Sequence, residues 1–206
     1  MIDSFYTDSF AKVEVDKFSF HKFGKGSDAK AALIKLLQDA HAGEKAAANA
    51  FFGHAHSLFV RDESEMLEIL KIYKDELHHR DRLREFLHQL NSKPRMTREI
   101  QMWLVGAFVA VLSFFGTWLI PMYGAGRLER ANIGEYEVAA RLAFFSGELS
   151  IIDELLHFAE IEWDHELYFR KKVKSHYLSK WIPLWGEPKA RGEIRNSYRN
   201  FQIQTD

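Results

Sequence analysis

The 206 residues are enough for one domain with a sizeable core, and too few to make two domains the natural reading. Hydrophobic residues at 47% and charged residues at 28% exclude a disordered chain, and only four prolines and twelve glycines argue against a turn-rich, all-β one. The net charge of −1 gives no drive toward nucleic acid, and the absence of cysteine removes disulfides, thiolate catalysis, Cys-ligated zinc and iron–sulfur clusters together. Any metal must therefore be held by imidazole nitrogen and carboxylate oxygen.

In chain order, residues 1–27 mix acids, bases and aromatics without a continuous apolar stretch. Asp3, Asp8, Glu14 and Asp16 argue against a transit peptide, so an N-terminal arm packed on the remainder and a cytoplasmic location are expected. A first helix is predicted from Ser27 or Asp28, either of which can cap it, to about Leu58. Leu33, Leu37, His41, Glu44, Ala48, Phe51, Ala55 and Leu58 share one of its faces. A second helix is predicted from Ser64 to Leu90, with Ile69, Ile72, Glu76, His79, Leu83, Phe86 and Leu90 in line, before Asn91 to Pro94 stop it. A third segment starts near Thr97, and residues 103–120 carry no charge until Pro121 and Gly124 interrupt the pattern. A further helix is predicted from Arg127 to Ser146, with Glu129, Ile133, Tyr136, Ala140 and Phe144 on one side. The last long helix follows Gly147 and runs to about Lys174, its stripe being Ile152, Leu155, Ala159, Glu162, His165, Phe169 and Val173. Residues 28–175 thus form the helical domain and 176–206 an aromatic, then polar tail.

Each of the four stripes contains a carboxylate, where an unpaired buried charge would cost several kcal/mol or be forced to take a proton. Bound cations offer the simplest compensation. Glu76 and His79 form a Glu-x-x-His, as do Glu162 and His165, and a separation of three puts both members on one face. Glu44 precedes Glu76 by 32 residues and Glu129 precedes Glu162 by 33, which places the two halves at similar depth. One Glu from each of two helices plus Glu-x-x-His from the other two is the ligand set of di-iron and di-manganese carboxylate proteins. The expected metal ligands are Glu44, Glu76, His79, Glu129, Glu162 and His165, with the Glu of each Glu-x-x-His bridging two iron ions, or manganese in their place. Glu135 is the alternative to Glu129 if the helix is irregular near Gly134. His41 either orients Glu44 or is a satisfied core histidine. Tyr136 is read as core packing or as a proton- or electron-transfer group. Asp75 and Asp164 either brace the histidines or face solvent.

Residues 103–120 approach the minimum length for a bilayer crossing. A single crossing would, however, put the two halves of the ligand set on opposite sides of the membrane. Two readings remain: a buried crossover, or a segment lying in a membrane surface with Trp103, Trp118 and Tyr123 near the headgroups.

Several of these stretches resemble the demethoxyubiquinone hydroxylase family: His41-Ala42-Gly43-Glu44, Glu76-Leu77-His78-His79, the apolar segment after Lys93-Pro94, Glu129 through Tyr136, and Glu162-Trp163-Asp164-His165. The resemblance covers roughly residues 33 to 170. Arg130 and Glu135-Tyr136 stand where that family has a second Glu and a His-Tyr pair. The resemblance implies an all-α, ferritin-like antiparallel four-helix bundle with an apolar crossover segment, and a membrane-associated di-iron monooxygenase that hydroxylates a quinone in ubiquinone synthesis. Dioxygen, a lipophilic substrate, an electron donor, peripheral membrane contact and further copies of the chain are the expected partners. Ferritin- or rubrerythrin-like iron oxidation or peroxide scavenging is the alternative, and a non-catalytic bundle that binds a membrane or a partner is a third reading.

Overall fold

The computed structural model describes residues 26–205, and every regular element among them is helical. Six α-helices follow in order: α1 (Ser27–Ala55), α2 (Glu63–Gln89), α3 (Met96–Phe115), α4 (Leu119–Ser146), α5 (Ile152–Ser175) and α6 (Glu193–Thr205). The expected N-terminal arm lies almost wholly outside the described residues.

The helix ends follow local chemistry. Asp62 caps α2, its Oδ1 accepting from the Glu65 amide at 2.9 Å. Before α1 the chain turns at Gly26 with φ 114, so Ser27 is already the first helical residue and neither Ser27 nor Asp28 is the cap. Gly147, in the left-handed region at φ 78, closes α4 with its amide directed to the last-turn carbonyls. The predicted start of the fourth helix at Arg127 is too late. Pro121 sits in the first turn of α4, where its missing N–H costs no hydrogen bond, and the break falls at Gly116 instead.

α1, α2, α4 and α5 enclose the interior, each antiparallel to its neighbours. α4 runs back along α1, with Lys30 Nζ reaching Glu148 at the α4 exit. Arg82 of α2 meets Glu154 of α5. The interior divides into two hydrophobic clusters. One gathers Leu33, Leu37, Phe86, Leu142 and Leu155 toward the start of α1. The other gathers Phe51, Ile69, Met122 and Phe169 toward its end. Between the two clusters each of the four helices turns a buried carboxylate inward, Glu44, Glu76, Glu129 and Glu162, so a polar layer is sandwiched between apolar halves.

α3 lies outside this core, parallel to α1 and in backbone contact with it. A Cβ added at Gly106 would come 2.6 Å from Ala46 Cα, and one at Gly53 would collide with the Ala110 backbone. The buried-crossover reading is therefore corrected: only Met102, Gly106 and Ser113 of α3 are buried. Ile100, Trp103, Leu104, Phe108, Val111, Leu112 and Phe115 are each more than half exposed. The helix is long and apolar enough to cross a membrane by length and composition alone. Trp118, expected beside Trp103 near headgroups, is instead buried and donates to Glu65 Oε1 at 2.7 Å. Tyr123, half-buried, donates its hydroxyl to the Pro183 carbonyl of the tail, 2.8 Å away.

The tail is more ordered than its composition suggests. Trp185 packs against the bare Cα of Gly126 and donates to the buried Glu166 at 2.6 Å. α6 returns along the first cluster and buries Ile194 and Tyr198 there.

Candidate metal centre

Helical periodicity places the polar layer. Glu44 on α1, Glu76 and His79 on α2, Glu129 on α4, and Glu162 and His165 on α5 each continue an apolar stripe, so the packing that buries the stripes buries them too. Glu76, His79, Glu129 and Glu162 are wholly enclosed, while Glu44 and His165 keep only 4% and 6% of their surface.

The structure brings all six predicted ligands together in two overlapping groups. Glu44, Glu76, His79 and Glu162 form one, and Glu76, Glu129, Glu162 and His165 the other. Within each, one potential ligand atom per residue lies within 4.8 Å of all the others. Either group could hold a metal ion, and the two residues they share are the Glu of each Glu-x-x-His. Glu135 belongs to neither group, and Glu129 occupies the place for which it was the alternative.

The donor atoms fit such an occupant. Glu44 Oε2, both oxygens of Glu76, both nitrogens of His79, Glu129 Oε1, Glu162 Oε1 and His165 Nδ1 are buried without a hydrogen-bond partner. That is a large concentration of unmet polar capacity in one layer, and each such group would ordinarily cost a few kcal/mol. Oxygen and imidazole donors without thiolate suit iron or manganese.

Surrounding residues orient these side chains. Asp75 Oδ2 lies 3.1 Å from His165 Nε2, which leaves Nδ1 turned toward Glu76 Oε1 at 3.4 Å. His79 Nδ1 is 3.1 Å from Glu162 Oε1, and the Phe158 ring packs 4.3 Å from the imidazole centre. Tyr136 Oη donates to Glu44 Oε1. Asn132, overlooked in the sequence although it sits one turn after Glu129, places Nδ2 3.4 Å from both Glu129 Oε2 and Glu162 Oε2. His41 does not orient Glu44. Its Nδ1 lies 2.7 Å from Glu99 of α3, which also accepts from Arg80 at 2.7 Å. Asp164 faces outward to Arg191 at 3.1 Å and braces no histidine.

The crowding of acids shapes their protonation. Burial, reinforced by neighbouring carboxylates, pushes Glu44 and Glu129 well above the usual carboxylate range. Burial would also raise Glu76, but the close approach of Glu44, His165 and His79 outweighs it and holds Glu76 well below that range. Burial alone would lower both histidines. Contacts with Glu162 and Glu76 nevertheless raise His79 to about 9, and contacts with Asp75 and Glu76 raise His165 to about 10. Without metal the layer thus keeps protons on groups that a cation would have to displace.

No protein-family model matches the chain, and neither a curated protein nor a solved structure does.

Proposed function

We propose that this chain is a di-iron monooxygenase with a ferritin-like antiparallel four-helix bundle, acting on a lipophilic quinone-type substrate. The observation that carries the reading is the pair of overlapping donor groups sharing Glu76 and Glu162, with their ligand atoms buried and unpartnered. Glu44 and His79 would complete one metal position and Glu129 and His165 the other, and manganese fits the same donors. Bound there, two ferrous ions supply the electron transfer and oxygen activation that no side chain of this protein can provide.

The surrounding residues serve that chemistry in distinct ways. Asp75 fixes the ring of His165, and Phe158 covers His79 and excludes water from its side of the layer. The Tyr136 hydroxyl holds a proton at Glu44 Oε1, a position from which it can be passed to the reacting centre. Hydroxylation consumes one dioxygen, two electrons from a reductant partner and two protons, and releases one water with the hydroxylated product.

A lipophilic substrate is favoured by α3. Its exposed stripe, Ile100, Leu104, Phe108, Val111 and Phe115, recurs at steps of three and four and so forms one face. We place that face in a membrane surface. Exposed Phe59 and Leu58 lie at the same end of the molecule as the α3 exit, since the Leu58 amide donates to the Phe114 carbonyl at 3.3 Å. An apolar exterior of this kind has no obvious purpose in a soluble iron-storage cage unless subunit contacts cover it, and a large symmetric assembly would favour the ferritin-type alternative.

The test is anaerobic ferrous reconstitution, followed by a short-chain quinone, a reductant and dioxygen. Hydroxylated quinone from the wild type and none from Glu76→Ala is expected. Oxidation of iron with release of peroxide or water, and no change in any quinone offered, would favour iron handling instead.

A further inference from the structure

Asn132 supplies the amide at the centre, and its partners are unevenly distributed between the two metal positions. It lies on α4, and its single Nδ2 spans carboxylates from two helices, Glu129 of α4 and Glu162 of α5, at 3.4 Å each. In both residues the amide faces Oε2, whereas Oε1 is buried without a hydrogen bond, that of Glu162 lying 3.1 Å from His79 Nδ1. Each carboxylate therefore has one oxygen tethered and one left for a ligand. Glu129 belongs only to the donor group containing His165, while Glu162 belongs to both.

We propose that Asn132 is a positioning residue that fixes the orientation of both Glu129 and Glu162, which are two of the four donors on the His165 side but include only one of those on the His79 side. The inference rests on the di-metal reading above. Its chemistry follows from what an amide is. A lysine or arginine in this place would orient the same carboxylates but would also neutralise them and repel an incoming cation. A neutral amide tethers both and leaves their full charge for the metal. Without it, two neighbouring carboxylates in a water-poor layer would turn apart. The position with Asn132-tethered ligands at two of its four corners would then lose more than the position with one.

The experiment is anaerobic titration with cobalt(II), followed by its visible absorption, on the wild type, Asn132→Leu and Asn132→Ala. Helicity and thermal unfolding of the metal-free proteins serve as controls, and the alanine variant covers the case in which leucine does not fit. The wild type should take up two ions with two resolved spectral changes. The variants should bind the first within about threefold of wild type and the second about 10–100-fold more weakly, the usual scale for groups that orient metal ligands. Two ions bound as in the wild type, or both weakened equally, would overturn the proposal. A wild type that takes up no cobalt would overturn the di-metal reading, and the proposal with it. A uniform loss confined to the variants would overturn only the role of Asn132.

Discussion

Two parts of the interior bury carboxylates, and they do it in opposite ways. Near the end of α1, Glu65 is 1% exposed and accepts from Trp118 Nε1 at 2.7 Å, Lys172 Nζ at 3.2 Å and the Arg61 amide at 3.2 Å. Glu166, equally buried, accepts from Arg170 Nε at 2.7 Å and from Trp185. In the polar layer, the groups against Glu44, Glu76, Glu129 and Glu162 are imidazole, phenol, amide and one another, and oxygens are left over. A carboxylate that ties helices together is surrounded by donors until its lone pairs are used. One that could hold a cation is kept from lysine and arginine, and its lone pairs stay open. Burial alone does not separate the two cases; the partners do.

The largest effect expected from this contrast is on Glu65. Glu65→Ala leaves the Trp118 indole N–H and the Lys172 ammonium without their acceptor. It should cost about 3–5 kcal/mol in denaturant unfolding while leaving metal uptake unchanged. Loss of metal in a folded Glu65→Ala protein would erase the distinction between the two sites.

A smaller effect is expected at His54, which lies in the last turn of α1, is 3% exposed and stacks on Phe169. Burial lowers its pKa to about 4, below the ordinary value near 6.5. Above pH 6.5 it is neutral both folded and unfolded and contributes no pH dependence. As pH falls from 6.5 toward 4, the unfolded chain takes up a proton that the folded protein refuses, so stability declines by up to about 3 kcal/mol. His54→Phe should flatten that part of the profile in urea midpoints measured at pH 7 and pH 4.5. An unchanged acid slope would mean that His54 is not the buried neutral group described.

Much of the centre was legible in the sequence because helical spacing turns a linear pattern into a face. Glu76-x-x-His79 and Glu162-x-x-His165 had to point inward if Ile72, Leu83, Leu155 and Phe169 did, and Glu44 and Glu129 followed at matching depth. What escaped was set by contacts between elements remote in sequence. His41 meets Glu99, 58 residues away, rather than Glu44 on its own helix. From Trp103 onward the sequence of α3 carries no charge on any face, and the close approaches of Gly106 to Ala46 and of Gly53 to Ala110 decide which side is covered. The docking of Trp185 onto Gly126 and of α6 onto the first cluster likewise has no local signal in a polar tail. Asn132 did leave a signal, its spacing of three from Glu129, but an asparagine inside a helix is ordinarily read as solvent-facing.

The most direct test of the central claim is the metal content of protein purified without chelator and reconstituted anaerobically with ferrous iron, compared with Glu76→Ala, which removes a residue common to both donor groups. The account predicts about two ions per chain in the wild type and loss of both in the folded variant. A wild type that holds no iron or manganese, or a Glu76→Ala protein that still holds two ions, would contradict it.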